Sequence, residues 1–201
     1  SGGGSCGLAS GWFGGSGGGV VRLIVGGTLI VNGTISADAV SRLGGGGNPG
    51  YASGGGSGGS IYLTCGTFGG ATSGLIRAQG SRGDMIDLTS AAGSGGGGRI
   101  ALHYAGLAAQ HETRFQASAG PVGYRSNDWD SAWVHAPQMG TLYLPDTALL
   151  SPVMSAGRFR DVRLFLPTNV WVTESLTLDN CSLVFGEEGF RCLVVGVGVE
   201  V

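Results

Sequence analysis

Short runs of alternating apolar and polar residues recur along the first part of the chain, and each run follows a stretch of glycine. Residues 20–25, 60–65 and 99–104 are three such runs. A period of two is typical of a β-strand with one buried face. When Val21, Ile61 and Ile100 are aligned, the three runs are almost evenly spaced along the chain. The pattern therefore predicts β-strands in a repeat of about 40 residues.

A second short strand is predicted downstream of each of these runs, and each one ends at a small residue. The terminal residues are Ala37, Ala78 and Ala117, which keep nearly the same spacing as the first runs, so both strands share one register. A fourth, partial copy of the first run occupies residues 140–144. Glycine before each first strand, with alanine at the end of each second one, predicts a corner where backbones approach closely.

An all-β solenoid accounts for this repeat better than a β-propeller does. A propeller blade needs four strands in about 40 residues, and the glycine-rich connections use too much of that length. The solenoid predicts that Leu23, Leu63 and Leu102 lie in one inward-facing column. We divide the chain into glycine-rich repeats (1–120), an aromatic and polar insertion with the partial repeat (121–156), and further β rungs or a β-rich cap (157–201).

Composition and charge narrow the classes of function. The 201 residues include 43 glycines but only 6 prolines, which excludes collagen, and the 42% share of apolar residues argues against a disordered linker. All 11 basic residues are arginine, and they form no cluster of the kind that nucleic-acid binding requires. No apolar run is long enough to span a membrane. The first residues do not look like a signal peptide, and both ends fall within the repeat pattern, so we expect a mature fragment or one segment of a larger protein.

The glycine-rich runs before residues 61–63 and 100–102 resemble the repeats of very large surface proteins with parallel β-helix folds, such as adhesin-like exoproteins and the fibre or appendage proteins of protists. The similarity extends over about the first 145 residues and is compositional. It implies a right-handed parallel β-helix, an extracellular or cell-surface location and a structural or adhesive role. It brings no catalytic residues with it.

One cluster of residues in the insertion has the composition of a binding site. Asp128 and Asp130 would share a face of an extended strand, and Trp129 and Trp133 could stack on sugar rings. Paired carboxylates also suit glycoside hydrolysis, and they are candidate Ca²⁺ ligands although six to eight oxygens are required. The favoured interpretation is a solvated loop that two tryptophans hold against the body of the protein.

The remaining candidate residues indicate a functional site less strongly. His103, His111 and His135 are scattered, and His103 is expected to pack within a first strand. The glycine runs are either permissive loops or a layer against which neighbours pack.

We expect a structural or adhesive segment that assembles with itself or with other extracellular structural proteins, and that is not an enzyme. The alternative is a carbohydrate-binding or polysaccharide-cleaving β-helix with glycan partners.

Four cysteines and two glycosylation sequons favour an oxidising location. Asn32 and Asn180 are the candidate glycosylation sites. Residues 181–192 are symmetric about residues 186–187, which predicts an antiparallel hairpin closed by a disulfide between Cys181 and Cys192. Cys6 and Cys65 then remain as the second pair. The competing arrangement places Leu183 and Leu193 in successive parallel rungs, with both sulfurs buried and reduced.

Overall fold

The computed structural model describes most of the repeat region and parts of the C-terminal region. The described residues are 14–41, 53–83, 85–87, 90–121, 137–150, 153–155, 157–167, 170–173, 176–179, 183–185, 192–195 and 199–200. They form strands, turns and extended segments and contain no helix. The predicted all-β class is therefore confirmed. No helix of the described chain is long and apolar enough to cross a membrane.

The described residues contain seventeen strands, most of them short. They are β1 (Val20–Ile30), β2 (Thr34–Ser36), β3 (Ser60–Gly70), β4 (Leu75–Arg77), β5 (Met85–Asp87), β6 (Ser90–Ala91), β7 (Arg99–His111), β8 (Arg114–Gln116), β9 (Gly140–Tyr143), β10 (Val153–Ser155), β11 (Phe159–Arg160), β12 (Val162–Phe165), β13 (Val170–Thr173), β14 (Leu176–Asp179), β15 (Leu183–Phe185), β16 (Cys192–Val195) and β17 (Val199–Glu200). Every described pair of strands is parallel except β5–β6.

The largest sheet has six strands in the order β1-β3-β7-β9-β12-β15. Val21 pairs with Ile61 and Ile61 with Ile100, which is the alignment that the repeat predicts. Ile100 in turn pairs with Leu142, so the partial fourth copy continues the register. The repeat is therefore a physical stack, in which equivalent residues of successive copies lie side by side.

The second strands of the repeat form a smaller parallel sheet in the order β11-β8-β4-β2. Ile35, Ile76, Phe115 and Phe159 occupy one column across it, and the last three are fully buried. The rings of Phe115 and Phe159 stack with 5.8 Å between their centroids. The core lies between this column and the inward positions of the six-stranded sheet.

The predicted leucine column is confirmed in register, but its three members differ in burial. Leu23 pairs with Leu63, and Leu63 pairs with Leu102. Leu63 and Leu102 are fully buried, whereas 37% of Leu23 is exposed. The difference follows from position, because β1 is at the edge of its sheet and no described strand covers its open side.

The corner between the two sheets is a backbone-to-backbone contact, as predicted. Gly59 donates its N–H to the carbonyl of Ala37, and Gly98 donates to Ala78, each over 2.7 Å. A Cβ on Gly58 would come within 2.4 Å of the Ala78 carbonyl oxygen. Only glycine fits at this distance, because real Cβ contacts are longer than about 3 Å. These glycines are structural requirements rather than permissive loop residues.

The length of a repeat falls by about half after β9. Gly140 of β9 pairs with Val162 of β12, and Val162 pairs with Leu183 of β15. The earlier copies take nearly twice as much chain for the same step, as the pairing of Ile61 with Ile100 shows. The sheet continues unbroken through this change, so its register is independent of the length of the connection.

The predicted hairpin over residues 181–192 is wrong. β15 pairs in parallel with β12, while β16 pairs in parallel with β13 in a separate two-stranded sheet. Parallel pairing with earlier strands replaces the antiparallel hairpin from which the Cys181–Cys192 disulfide was predicted, and the disulfide itself stays a prediction. Cys181 lies outside the described residues.

Cys65 is a free thiol in this structure, in disagreement with the expected pairing to Cys6. The side chain faces the core of the stack, where its in-register neighbours are Val25 and Tyr104. Its sulfur lies 3.8 Å from the carbonyl oxygen of His103, and burial raises the pKa of the thiol. Cys6 lies outside the described residues.

Candidate interaction surfaces

The outer face of the six-stranded sheet combines arginine and aromatic side chains. Strands alternate their side chains between two faces, and the positions between the core residues point outward. One outward column runs from Arg22 through Tyr62 and Ala101 to Tyr143. The adjacent column includes Ser60, Arg99, Thr141 and Arg163. We call the surface formed by Arg22, Tyr62, Arg99, His103, Tyr143 and Arg163 the outer face.

Ring contacts join the aromatic members of the outer face. The centroids of Tyr62 and His103 lie 5.1 Å apart, and those of His103 and Tyr143 lie 4.9 Å apart. The guanidinium of Arg22 lies 5.9 Å from the centroid of Tyr62, within range of a cation–π contact. His103 therefore packs against neighbouring rings, as its position in a first strand predicted.

The outer face is positively charged and holds no carboxylate. The five strands β1, β3, β7, β9 and β12 contain no Asp or Glu. Among the described residues, no ion pair involves Arg22, Arg99 or Arg163. On the second sheet, by contrast, Nε of Arg77 lies 2.6 Å from Oδ2 of Asp38. The two sheets thus present different charge patterns, although the chain as a whole has a net charge of −2.

A second surface feature is the open edge formed by β1. Its sequence is rich in β-branched residues, which favour strands. Val20 is 80% exposed and Ile24 is 67% exposed, and Ile30 is exposed as well. No described strand pairs with the open side of β1. A strand with a free edge presents backbone N–H and C=O groups with which another chain can pair.

A cluster of polar groups joins the last long copy of the repeat to the segment after β9. The hydroxyl of Tyr104 donates to Oδ1 of Asp146 over 2.5 Å, and the same oxygen accepts the N–H of Ala148 over 2.9 Å. The guanidinium of Arg158 donates to the carbonyl of His111. Burial lowers the pKa of Arg158, and nearby Glu112 opposes that shift. These hydrogen bonds join adjacent parts of the stack, so the cluster has a structural role.

Tyr104 should resist ionisation in the folded protein. Burial raises the pKa of its phenol, and the hydrogen bond and negative charge of Asp146 raise it further. Because the shift is upward, its contribution to stability is complete below about pH 10, where tyrosine titrates in unfolded chains, and is lost at higher pH. We expect Tyr104→Phe to lower the free energy of unfolding by about 1 kcal/mol at neutral pH.

Denaturant titrations of both proteins at pH 7 and at pH 11 would measure this difference, which should shrink at the higher pH. Asp146→Asn is the companion variant, because it keeps the acceptor oxygen but removes the charge. Ionisation of tyrosine is also measured by the change in absorbance near pH 10. If this change were smaller in Tyr104→Phe than in the unmodified chain, Tyr104 would ionise in the ordinary range, and the expectation would be contradicted.

The residues predicted from sequence to form a site fall mostly outside the described chain. Asp128, Trp129, Asp130 and Trp133 lie there, as do Asn180 and His135. The described residues contain no group of three or more His, Cys, Asp or Glu that could hold a metal ion. Asn32 lies exposed in the turn after β1, where its Oδ1 accepts the N–H of Ala71 over 2.9 Å.

The outer face was not among the sites that the sequence pattern singled out, although its signal was present. Once the copies are aligned, Arg22 and Tyr62 occupy the same outward position of adjacent strands. Arg99 and Arg163 share a second outward column, with Thr141 between them. Reading the outward positions across copies, rather than along the chain, would have found the face.

No protein-family model matches the chain, and no curated protein or solved structure is significantly similar to it.

Proposed function

We propose that this chain is a structural or adhesive segment of an extracellular fibre, appendage or cell-surface protein, and that it acts by assembling with copies of itself. In this proposal the stacked strands belong to a right-handed parallel β-helix, and the segment is not an enzyme. The observation that carries the proposal is the open edge of β1, where large apolar side chains remain exposed at the end of an in-register parallel stack.

The edge of β1 has the properties of a strand-pairing surface. Leu23 occupies the same column as Leu63 and Leu102, so a further strand at the edge would bury it as they are buried. Complete burial of a side chain of this size contributes about 1.5–3 kcal/mol relative to full exposure. Free N–H and C=O groups along an edge strand also pair with another chain. The contact we propose continues the pairing that already joins β1 to β3.

A charge placed on the edge should block assembly. We expect the unmodified chain to sediment as oligomers and Ile24→Lys to sediment as a monomer, because lysine on an edge strand is one of the means by which proteins prevent edge-to-edge pairing. Sedimentation velocity over a range of protein concentrations measures the difference. Val172→Lys is the matched control, since Val172 is 70% exposed and lies on β13, in a different sheet from β1.

The control variant should assemble as the unmodified chain does. A chain that remains monomeric at all concentrations would argue against the proposed function, and so would equal assembly by Ile24→Lys.

A further inference from the structure

We infer that the outer face binds an anionic polysaccharide, that is, an extended sugar polymer carrying carboxylate or sulfate groups. The outer face shares β1 with the open edge through Arg22. The two features differ because the edge would pair through backbone groups, whereas the outer face would bind through outward side chains. The inference supplies a partner for the proposed adhesive role and in that sense rests on it.

Cationic and aromatic groups alternate from strand to strand across the outer face. Arginine lies on β1, β7 and β12, as Arg22, Arg99 and Arg163, whereas tyrosine lies on the strands between them, as Tyr62 and Tyr143. Neighbouring strands are about 4.8 Å apart, so successive arginines are separated by about 10 Å across the sheet. A linear polymer crossing the strands would meet a cation at every second strand and a phenol hydroxyl in between.

The arginines of the outer face are not neutralised by acids of the described chain. None has an ion-pair partner among the described residues, and the five strands that form the face provide no carboxylate. Two of the three arginines in the strands of the second sheet lie beside acids instead: Nε of Arg160 is 3.9 Å from Oδ2 of Asp161, and Arg77 is paired with Asp38. A guanidinium presents a fork of N–H donors that matches carboxylate or sulfate oxygens.

The density of charge favours a polysaccharide over a nucleic acid. Double-stranded DNA carries about one charge per 1.7 Å, and proteins that bind it neutralise many phosphates with clustered cations. Here three arginines are spread over about 19 Å of sheet. Such sparse cations suit a polymer that is charged only at intervals. The hydroxyls of Tyr62 and Tyr143 and the imidazole of His103 can donate or accept hydrogen bonds, which the hydroxyl groups of a sugar chain also do.

Binding can be tested with the whole chain and immobilised polymers of defined charge. The probes are polygalacturonate, which is carboxylated, heparin, which is sulfated, and dextran, which is neutral. We expect one of the two anionic polymers to bind, and added salt to weaken it. Replacing Arg22, Arg99 and Arg163 together by glutamine should weaken this binding at least about tenfold. The corresponding lysine variants should retain part of it, because they keep the charge but lose the fork of donors.

The control carries the same change in net charge on the second sheet, with Arg77, Arg114 and Arg160 replaced by glutamine. It should bind as the unmodified chain does. Equal loss in the control would overturn the inference, because general charge would then account for binding. Failure of both anionic polymers to bind, equal binding of dextran, or tighter binding of a single-stranded oligonucleotide would also overturn it.

Circular dichroism and thermal unfolding of each variant show whether it keeps its fold. If the glutamine variants do not fold, the lysine variants provide a second measurement. Failure of this inference remains distinct from failure of the proposed function, because assembly through β1 is measured by sedimentation without polymer.

Discussion

Gly97→Ala will destabilise the protein by about 3 kcal/mol or more, at the upper end of the range for overpacked sites. A Cβ at this position would lie 1.9 Å from the carbonyl oxygen of Ala117 and 2.3 Å from the backbone nitrogen of Gly140. Both atoms belong to backbone in the hydrogen-bonded corner, where Gly140 donates to the carbonyl of Ala117 over 2.7 Å. Neither can move without breaking the stack on one side.

Gly106→Ala is the matched control, since nothing lies within 4 Å of the Cβ position there. It should change the free energy of unfolding by less than about 1 kcal/mol, because alanine also restricts the unfolded chain. Equilibrium unfolding in urea compares the two variants. Similar stability of Gly97→Ala and Gly106→Ala would contradict the close approach at the corner.

Leu63→Ala is expected to cost about 2–5 kcal/mol, through lost burial and the cavity left behind. Leu63 is fully buried, and its column neighbours Leu23 and Leu102 lie on both sides. Leu23→Ala removes the same atoms from the edge of the same column and should cost about 1 kcal/mol, because that side chain is already partly in water. Urea unfolding of both variants tests the ranking. Equal losses would mean that the edge position is as well covered as the interior one.

The long-repeat part of the fold could be predicted because aligning the copies in the sequence also gives the register of the paired strands. Residues 20–25, 60–65 and 99–104 align without gaps, and the structure pairs Val21 with Ile61 and Ile61 with Ile100. The partial exposure of Leu23 could not be predicted in the same way. Exposure at a sheet edge depends on which strands pair with it, and identical residues in identical local patterns differ for that reason alone.

The prediction of a hairpin over residues 181–192 was wrong because local symmetry of the sequence only weakly constrains which strands pair. The sequence around residues 186–187 suits a tight turn, but a parallel partner was available one short repeat earlier for each strand. Leu183 pairs with Val162, and Cys192 pairs with Val170. The change from long to short copies hid that relationship, because the short copies lack the glycine run that marks the long ones.

The site predicted at Asp128 and Asp130 stays a prediction, since both residues lie outside the described chain. The outer face could not be found by looking for local clusters of charge. Arg99 and Arg163 are far apart in sequence, yet only one strand separates the strands that carry them. Parallel stacking brings such residues together, and their relation is visible only once the register is known.

The corner at Ala37 and Gly59 has a consequence for how such a chain can diversify. Ala37 and Gly59 are hydrogen-bonded to each other at the point where one copy of the repeat ends and the next begins. The segment between them therefore begins and ends at one point, and the closure cost of a loop grows only slowly with its length. The same arrangement recurs between Ala78 and Gly98 and between Ala117 and Gly140. Hydrogen bonds from Ala39 to Gln79 and from Gly58 to Gly96 hold the ends of the first segment in the stack. We therefore expect that sequence of different length and chemistry can be inserted between such bonds while the scaffold keeps its alignment.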